Sequence, residues 1–475
     1  MMFAPGASRR SSHRAAARGP SPTRRALCLA ALLTLGGLAG LAMPLAARAL
    51  VPGELLWLQT HPLTGSGVDR GSAVAVADSG TVYAAGTLGA VQGGSANIVL
   101  VARSADGSPL WATPYDGPGH GPDVATSVTV GSGGAVYVAG QATRAGGRDL
   151  VVLKFSPAGK LLWQRFCGGA AGPDKAGALV LDRSGNLLVA GWVAVRGRGS
   201  DAALAKYTPA GRRLWLRTWD GAAHRADRGV DIAVDRGGNA VVVGSTALAR
   251  SPQTAALLLK YSASGHLRWV RRQSGGAHGD ALACVALDAN GSVFAGGHTK
   301  LPGTGVDALL VKYTAAGDDR WRWVATGMQN GRDEIADVAV DRGGWIHGAG
   351  STVVLGTHSD GLVMSCTPNG LSRSLKAYDG GSYLADAFRT LACDAAGDVF
   401  VGGFTTSSAG VTSAIVAHYT RDLSQRLWLT PFEGTADGGA NGAVRLALVP
   451  GGVVVAGTVV DAVTGPDLAL AKLQR

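Results

Sequence analysis

Seven aspartates recur along the chain at a spacing of about 53 residues. Carboxylate oxygens are the ligands that hard cations prefer, so a ring of such residues could attract a cation. Carboxylates also cap backbone N–H groups, and a residue that is present in every repeat usually serves the architecture. The recurrence favours capping, and a cation site stays open, at Asp69, Asp123, Asp174, Asp227, Asp280, Asp333 and Asp386.

Three histidines lie two or three residues before aspartates of this series, at His120, His224 and His278. Imidazole and carboxylate groups together are plausible metal ligands. The three histidines belong to different repeats, however, and none has a partner at the short spacing that defines a metal site. The sequence therefore predicts no histidine metal centre.

Basic side chains gather in the longer and more varied connections of the repeat. Binding residues often lie on variable loops that a rigid scaffold holds. A basic rim could bind acidic glycans or other anions, and a tryptophan there could stack on a sugar ring. Ordinary solvated charge is the alternative interpretation. The predicted binding residues are Arg144, Arg148, Trp192, Arg196, Arg198, Arg250 and Lys300.

The elements that must position these side chains form an internal repeat. Aspartate, glycine and tryptophan each recur at the same period, and together they count eight units of about 53 residues. Ser374 stands where one tryptophan of the series is missing. The tryptophans of the series are Trp57, Trp111, Trp163, Trp215, Trp269, Trp321 and Trp428.

Each unit is typical of four short strands. In residues 227–269, Val230, Ile232 and Val234 alternate with other residues, and residues 240–243 are apolar throughout, as in a strand that is buried on both faces. The stretch DRGGN at residues 235–239 is typical of a tight turn. No helical pattern follows the first 49 residues, so the sequence predicts an all-β chain.

Eight four-stranded antiparallel units predict an eight-bladed β-propeller, in which a radial arrangement protects the sheet edges. The stretch LLWLQ at residues 55–59 fits a fourth strand, and DLALAK at residues 467–472 fits a third strand. The last unit therefore lacks the strand that the N-terminal segment can supply. We expect that segment to complete the eighth blade and close the ring.

The first 49 residues have a composition of their own. They contain seven arginines and no acidic residue, followed by an apolar run that ends in Ala47-Arg48-Ala49. This order predicts an export signal that is cleaved near residue 49, and an uncleaved anchor is the alternative. Residues 50–475 are then the β-propeller, with no further segment long enough to span a membrane.

Composition excludes several classes of protein. The chain has 46% hydrophobic and 16% charged residues, which excludes a disordered chain. Its 72 glycines do not recur at every third position, which excludes collagen. The net charge of +11 comes largely from the leader, since 37 basic and 33 acidic residues remain after it. We therefore expect no nucleic-acid partner.

The repeat resembles the SBBP-type bacterial β-propeller repeat. The similar stretches are DALLVKYTAAG at residues 307–317, followed by Trp321, and VDRGGN at residues 234–239. The resemblance covers residues 54–475 and implies an exported or surface-associated propeller, with no catalytic residues to carry over. That family is described as seven-bladed, whereas this chain contains eight copies. The sixth unit departs most, with Cys366 in a tyrosine position and Ser374 in a tryptophan position.

A quinoprotein is the sharpest enzymatic alternative. Pyrroloquinoline-quinone dehydrogenases are also eight-bladed, with glycine four residues before tryptophan in each repeat, and this chain resembles them at Gly159 and Trp163, Gly211 and Trp215, and Gly265 and Trp269. The aspartate of that motif is replaced, however, by Phe155, Tyr207 and Tyr261. The chain also has no adjacent pair of cysteines. The glycine and tryptophan have a structural explanation, in which glycine forms a turn and tryptophan fills the gap between blades.

The sequence thus predicts an exported, non-catalytic β-propeller that acts as a binding or cell-surface interaction scaffold. Glycans or another surface protein are the expected partners, the chain is expected to be a monomer, and no cofactor is predicted. A quinoprotein-like or glycan-active enzyme and a purely structural surface component are the alternatives. An enzyme should show an unrepeated cluster of acid, base or metal ligands, and the sequence analysis identifies none.

Overall fold

The computed structural model describes residues 51–61, 69–89, 95–168, 172–249, 253–275, 279–327, 331–354, 358–382, 384–432, 442–461 and 465–475. The predicted export signal at residues 1–49, Arg250 and His278 lie outside these ranges. No helix in the described ranges is long and apolar enough to cross a membrane.

Blade 4 shows why the repeat folds into four strands. Its strands are β14 (Asp227–Val234), β15 (Ala240–Ala247), β16 (Thr254–Tyr261) and β17 (Leu267–Gln273). The two middle strands are almost wholly buried, because neighbouring blades cover both of their faces, whereas β17 is largely exposed on the outside. The aspartate of the first turn, Asp235, accepts hydrogen bonds of 2.9 Å from the backbone N–H groups two and four residues later.

The other blades repeat this order, and one 3₁₀ turn, at Ser132–Gly134, interrupts it. The strands are β1 Leu55–His61; in blade 1, β2 Arg70–Val76, β3 Val82–Leu88, β4 Asn97–Arg103 and β5 Pro109–Tyr115; in blade 2, β6 Val124–Val130, β7 Val136–Arg144, β8 Gly147–Phe155 and β9 Leu161–Cys167; in blade 3, β10 Lys175–Leu181, β11 Leu187–Ala194, β12 Ser200–Tyr207 and β13 Arg213–Trp219; in blade 5, β18 Ala281–Leu287, β19 Val293–Thr299, β20 Asp307–Tyr313 and β21 Asp319–Ala325; in blade 6, β22 Glu334–Val340, β23 Ile346–Thr352, β24 Asp360–Cys366 and β25 Arg373–Tyr378; in blade 7, β26 Ala387–Cys393, β27 Val399–Thr406, β28 Thr412–Tyr419 and β29 Arg426–Phe432; and in blade 8, β30 Gly442–Val449, β31 Gly452–Asp461 and β32 Gly465–Gln474.

The predicted closure of the ring is confirmed. Seven sheets contain four consecutive strands, and the eighth has the order β1-β32-β31-β30. Strand β1 runs antiparallel to β32, with Trp57 opposite Lys472 and Gln59 opposite Leu470. The first strands of neighbouring blades contact each other around the whole ring, including β30 with β2. The fold is therefore an eight-bladed β-propeller whose inner strands surround a central axis.

A tryptophan on the outer strand of one blade packs against a turn glycine of the next. Trp215 of blade 3 lies against Gly265 of blade 4, where a Cβ atom would stand 2.9 Å from the ring. The tryptophan Nε1 donates to a carbonyl of the same turn in several blades, as from Trp111 to Pro157 at 2.9 Å. Seven such contacts join the blades, at Trp57 and Gly107, Trp111 and Gly159, Trp163 and Gly211, Trp215 and Gly265, Trp269 and Gly317, Trp321 and Gly370, and Trp428 and Gly53.

The eighth contact is replaced on both sides. Blade 6 has Ser374 in the tryptophan position, and the turn of blade 7 has Leu423 in the glycine position. Leu423 keeps the left-handed backbone of the turn, with φ 59°, and is 1% exposed. A side chain fits at this turn because the ring that excludes a Cβ atom in the other blades is missing.

We expect Gly265→Ala to destabilise the protein by about 1–3 kcal/mol more than Gly303→Ala. Both glycines have φ 83°, so both substitutions strain the backbone equally, but only the new Cβ at residue 265 would meet a ring. Denaturant unfolding of the two variants measures the difference. Equal losses of stability would show that the contact with Trp215 does not hold the blades together.

We expect removal of β1 to destabilise the ring and to cause self-association, because β32 would become an exposed sheet edge. The two chains to compare begin at residue 50 and at residue 62, which retain and lack β1. Melting temperature and sedimentation velocity report the two effects. A shorter chain that stays monomeric and melts at the same temperature would argue against closure by β1.

Candidate binding channel

A bulge in the first strand of every blade sets one residue apart. The register of each inner strand shifts at this point, so the residue after the shift occupies the same place in all eight blades. We call these eight residues the waist ring. In blade order they are Ala73, Ser127, Ala178, Asp231, Cys284, Asp337, Thr390 and Arg445.

The polar residues of the waist ring join neighbouring blades. Asp231 accepts a hydrogen bond of 2.8 Å from the backbone N–H of Val285, which lies in the next blade. Asp337 likewise accepts from the N–H of Leu391 at 3.0 Å. Thr390 Oγ1 accepts from the N–H of the following blade's inner strand at 3.2 Å. These bonds orient the side chains along the inner surface of the ring.

Three charged groups face one another across the axis. Burial raises the pKa of Asp231 to about 6 and also raises the pKa of Asp337. The positive charge of Arg445 opposes both shifts. Asp231 belongs to blade 4 and Arg445 to blade 8, which are opposite each other in a ring of eight, so this interaction crosses the channel. The waist is therefore acidic on one side and basic on the other.

Trp192, one of the predicted binding residues, lies near the mouth of the channel. Lys175 of the same blade and Arg228 of the next lie over its ring, with the Lys Nζ and the Arg Cζ 5.9 Å and 5.5 Å from the ring centroid. Both cations come from the first residues of inner strands, β10 and β14. The two cation–π contacts hold positive charge at the mouth, and they compete with a sugar for the ring face.

The other predicted binding residues do not form a single cluster. Arg144 pairs with Asp149 and lies over the ring of Phe166, at 5.2 Å from its centroid. Arg198 pairs with Asp220 and Asp201. The remaining described members differ in exposure, since Arg148 and Arg196 are exposed and Lys300 is half-buried.

The aspartates of the repeat hold connections together. Asp123 accepts hydrogen bonds from the N–H of Gly117 before it at 2.5 Å and from the N–H of Thr143 after it at 2.7 Å. Burial raises the pKa of Asp123 and of Asp333. These contacts fit the capping interpretation. The same pair of bonds occurs at Asp227, Asp333 and Asp386.

One carboxylate cluster could hold a cation. Asp360, Asp379 and Asp386 each place an oxygen within 4.8 Å of the others. Burial and the two neighbouring carboxylates raise the pKa of Asp360 to about 6. Between blades 3 and 4 the corresponding place receives a basic side chain, Arg198. Oxygen ligands of this kind suit a hard divalent cation.

The histidines of the sequence series are separate surface residues. His120 Nδ1 lies 2.6 Å from Asp116, and His224 Nδ1 lies 2.6 Å from Asp220. Both imidazoles are exposed, and the contact with Asp116 raises the pKa of His120. Each histidine thus pairs with a carboxylate of its own connection.

Sequence analysis missed the waist ring, although a signal was present. Every member lies four residues after a position of the aspartate series, as Asp231 follows Asp227 and Asp337 follows Asp333. The search looked for residue types that repeat, whereas this position is informative because its residue types differ. It contains the unrepeated acid and base groups that the sequence analysis did not identify.

We expect Asp231→Asn to stabilise the protein at pH 7.5 and to have a much smaller effect at pH 4.5. The native carboxyl group has a pKa near 6, above its value of about 3.9 in the unfolded chain, so the stability that it contributes below pH 4 is lost as the pH rises through 6. The gain at pH 7.5 should be on the order of 1–2 kcal/mol after solvent screening.

Denaturant unfolding at the two pH values measures this effect. Asp78→Asn, which changes an exposed aspartate in a turn, is the matched control. An equal effect of Asp231→Asn at both pH values would contradict the assignment of a raised pKa.

No protein family and no characterised protein matches the sequence. By structure, 377 solved chains match. Quinohemoprotein alcohol dehydrogenase from Comamonas testosteroni has a TM-score of 0.56 and 13% identity, over 88% of this chain and 76% of that one. Sqt1 from Chaetomium thermophilum has a TM-score of 0.55 and 12% identity, over 89% and 99%. BamB from Moraxella catarrhalis covers 90% of this chain and 100% of its own at 11% identity and a TM-score of 0.47.

These identities are low, so the similarity establishes the β-propeller fold alone. The proteins that share the fold have unlike names, and a fold of this kind supports many functions. A functional assignment must therefore come from the side chains of this chain, above all from those of the channel.

Proposed function

We propose that this chain is an exported, non-catalytic β-propeller that acts as a binding scaffold and holds its ligand in the central channel. The observation that carries the proposal is the waist ring. Eight equivalent places in a repeating structure have no architectural need for different residues, yet three of them carry Asp231, Asp337 and Arg445. Charged groups at an enclosed surface cost free energy unless a partner compensates them, so their presence here favours a ligand.

The features around the channel support the same proposal. Lys175 and Arg228 place positive charge at the mouth, on the face where the longer connections lie. The exposed Arg148 and Arg196 extend this charge outward and favour acidic glycans or an acidic surface protein as partners. The leader supports export, and the SBBP-type resemblance of the repeat supports a surface role. We propose a monomer, because closure of the ring pairs β1 with β32 and leaves no blade incomplete.

An enzymatic function is the second candidate, and one observation favours it. Asp231 has a pKa near 6, which suits a group that accepts a proton close to neutral pH. A quinoprotein-like enzyme would use such a base in its channel. The replaced aspartates of the repeat and the absence of adjacent cysteines from the sequence speak against that assignment.

We expect the wild-type protein to gain thermal stability with a ligand that the triple variant Asp231→Asn, Asp337→Asn, Arg445→Gln does not recognise. A panel of sulfated and uronic-acid oligosaccharides, amines, carboxylates and zwitterions is tested by melting temperature, since a ligand that binds only the native state raises it. Asp78→Asn is the control and should respond as the wild type does.

Two further measurements separate the alternatives. Added quinone cofactor with an artificial electron acceptor should give no turnover, and turnover that depends on Asp231 would replace the scaffold proposal with the enzymatic one. A glycan array with Arg196→Gln and Arg198→Gln tests the outer rim. Binding that survives these changes but not the triple variant assigns the ligand to the channel.

A further inference from the structure

We propose that the waist ring binds a small zwitterion, with its ammonium group against Asp231 and Asp337 and its carboxylate against Arg445. This inference rests on the proposed function, since it assumes that the channel holds a ligand. It names the chemical class of that ligand. The argument depends on the positions of the charges within the ring and on the hydrogen bonds that the inner strands make there.

The acidic side of the waist fits an ammonium group. Asp231 and Asp337 stand in blades 4 and 6, on either side of Cys284, so two carboxylates face the same part of the channel. A carboxylate has about four acceptor sites, and the backbone N–H groups of Leu391 and Val338 use two of those of Asp337. Acceptor sites therefore remain for the three N–H donors of an ammonium group.

The basic side of the waist fits a carboxylate. Arg445 stands in blade 8, and blades 1 to 3 have Ala73, Ser127 and Ala178 at the same place. The inner-strand N–H groups equivalent to those of Val285 and Leu391 follow Arg445 and Ala73, whose side chains have no acceptor atom. This half of the ring consequently offers a guanidinium group and backbone donors, the set that binds carboxylates.

Ligands with one charge satisfy only half of this ring. A metal ion or simple amine at the two aspartates would face the positive charge of Arg445, and a simple anion at Arg445 would face two carboxylates. The raised pKa of Asp231 shows that the protein alone does not compensate this carboxylate fully. A molecule with both charges compensates both sides, so the arrangement selects zwitterions by attraction and rejects single charges by repulsion.

Isothermal titration calorimetry with matched probes tests the inference on the full propeller chain. The zwitterions are glycine, 4-aminobutyrate and 6-aminohexanoate, whose increasing length measures the gap across the channel. Butyrate and butylamine carry one of the two charges each. We expect the best zwitterion to bind at least about tenfold more tightly than either single-charge probe.

The variants should divide the two ends of the ligand. Asp231→Asn and Asp337→Asn keep an acceptor for the backbone N–H groups, so they should fold, and each should weaken zwitterion and butylamine binding by about tenfold while sparing butyrate. Arg445→Gln should weaken zwitterion and butyrate binding and spare butylamine. Asp78→Asn and Arg183→Gln change exposed turn residues and should alter nothing.

Each contrary result has its own meaning. Butyrate binding as tightly as the zwitterions would make the waist an anion site, and butylamine or Ca²⁺ binding as tightly would make it a cation site; either result overturns the zwitterion. If another class of ligand binds in the channel and no zwitterion does, this inference fails while the proposed function stands. If no ligand distinguishes the wild type from the triple variant, both fail.

Discussion

The contact between a tryptophan ring and a turn glycine is the interaction on which the ring depends. It joins the outer strand of one blade to the third turn of the next, at the periphery, where the gap between diverging sheets is widest. The glycine supplies a left-handed backbone conformation and leaves room for the ring, as at Gly265 with φ 83°. The inner strands close the same gap at the axis by direct contact. Together the two contacts fix the angle between blades, and so the width of the channel.

Much of this architecture is encoded in features that a single sequence displays. The tryptophan and aspartate series count the blades, because the same physical problem is solved once per repeat. Pairing of the N-terminal segment with the last blade also follows from pattern, because LLWLQ at residues 55–59 lacks a partner in any other unit. The capping of connections by the aspartates is likewise what repeated short side chains favour, and the bonds of Asp123 fit it.

The candidate site was harder to find for the same reason. Repetition identifies what every blade needs, whereas a binding site is built from what only some blades contain. Asp231, Asp337 and Arg445 lie more than fifty residues apart, and only the bulge in each inner strand brings them to one level of the channel. The bulge has no fixed residue type, so its position is visible from hydrogen bonding and not from the sequence. The predicted arginine rim shows the converse, since Arg144 and Arg198 have charged partners in connections that the sequence does not place beside them.

The exchange at Ser374 and Leu423 has a consequence for how such a chain can change over time. A serine without its leucine would leave a hollow, and a leucine opposite a tryptophan would collide with it, so neither substitution is tolerated singly as well as the two together. Units six and seven are thus a matched pair. Recombination among the copies can trade most units freely, but a crossover between these two would join mismatched halves, and this junction marks a fixed origin in an otherwise interchangeable series.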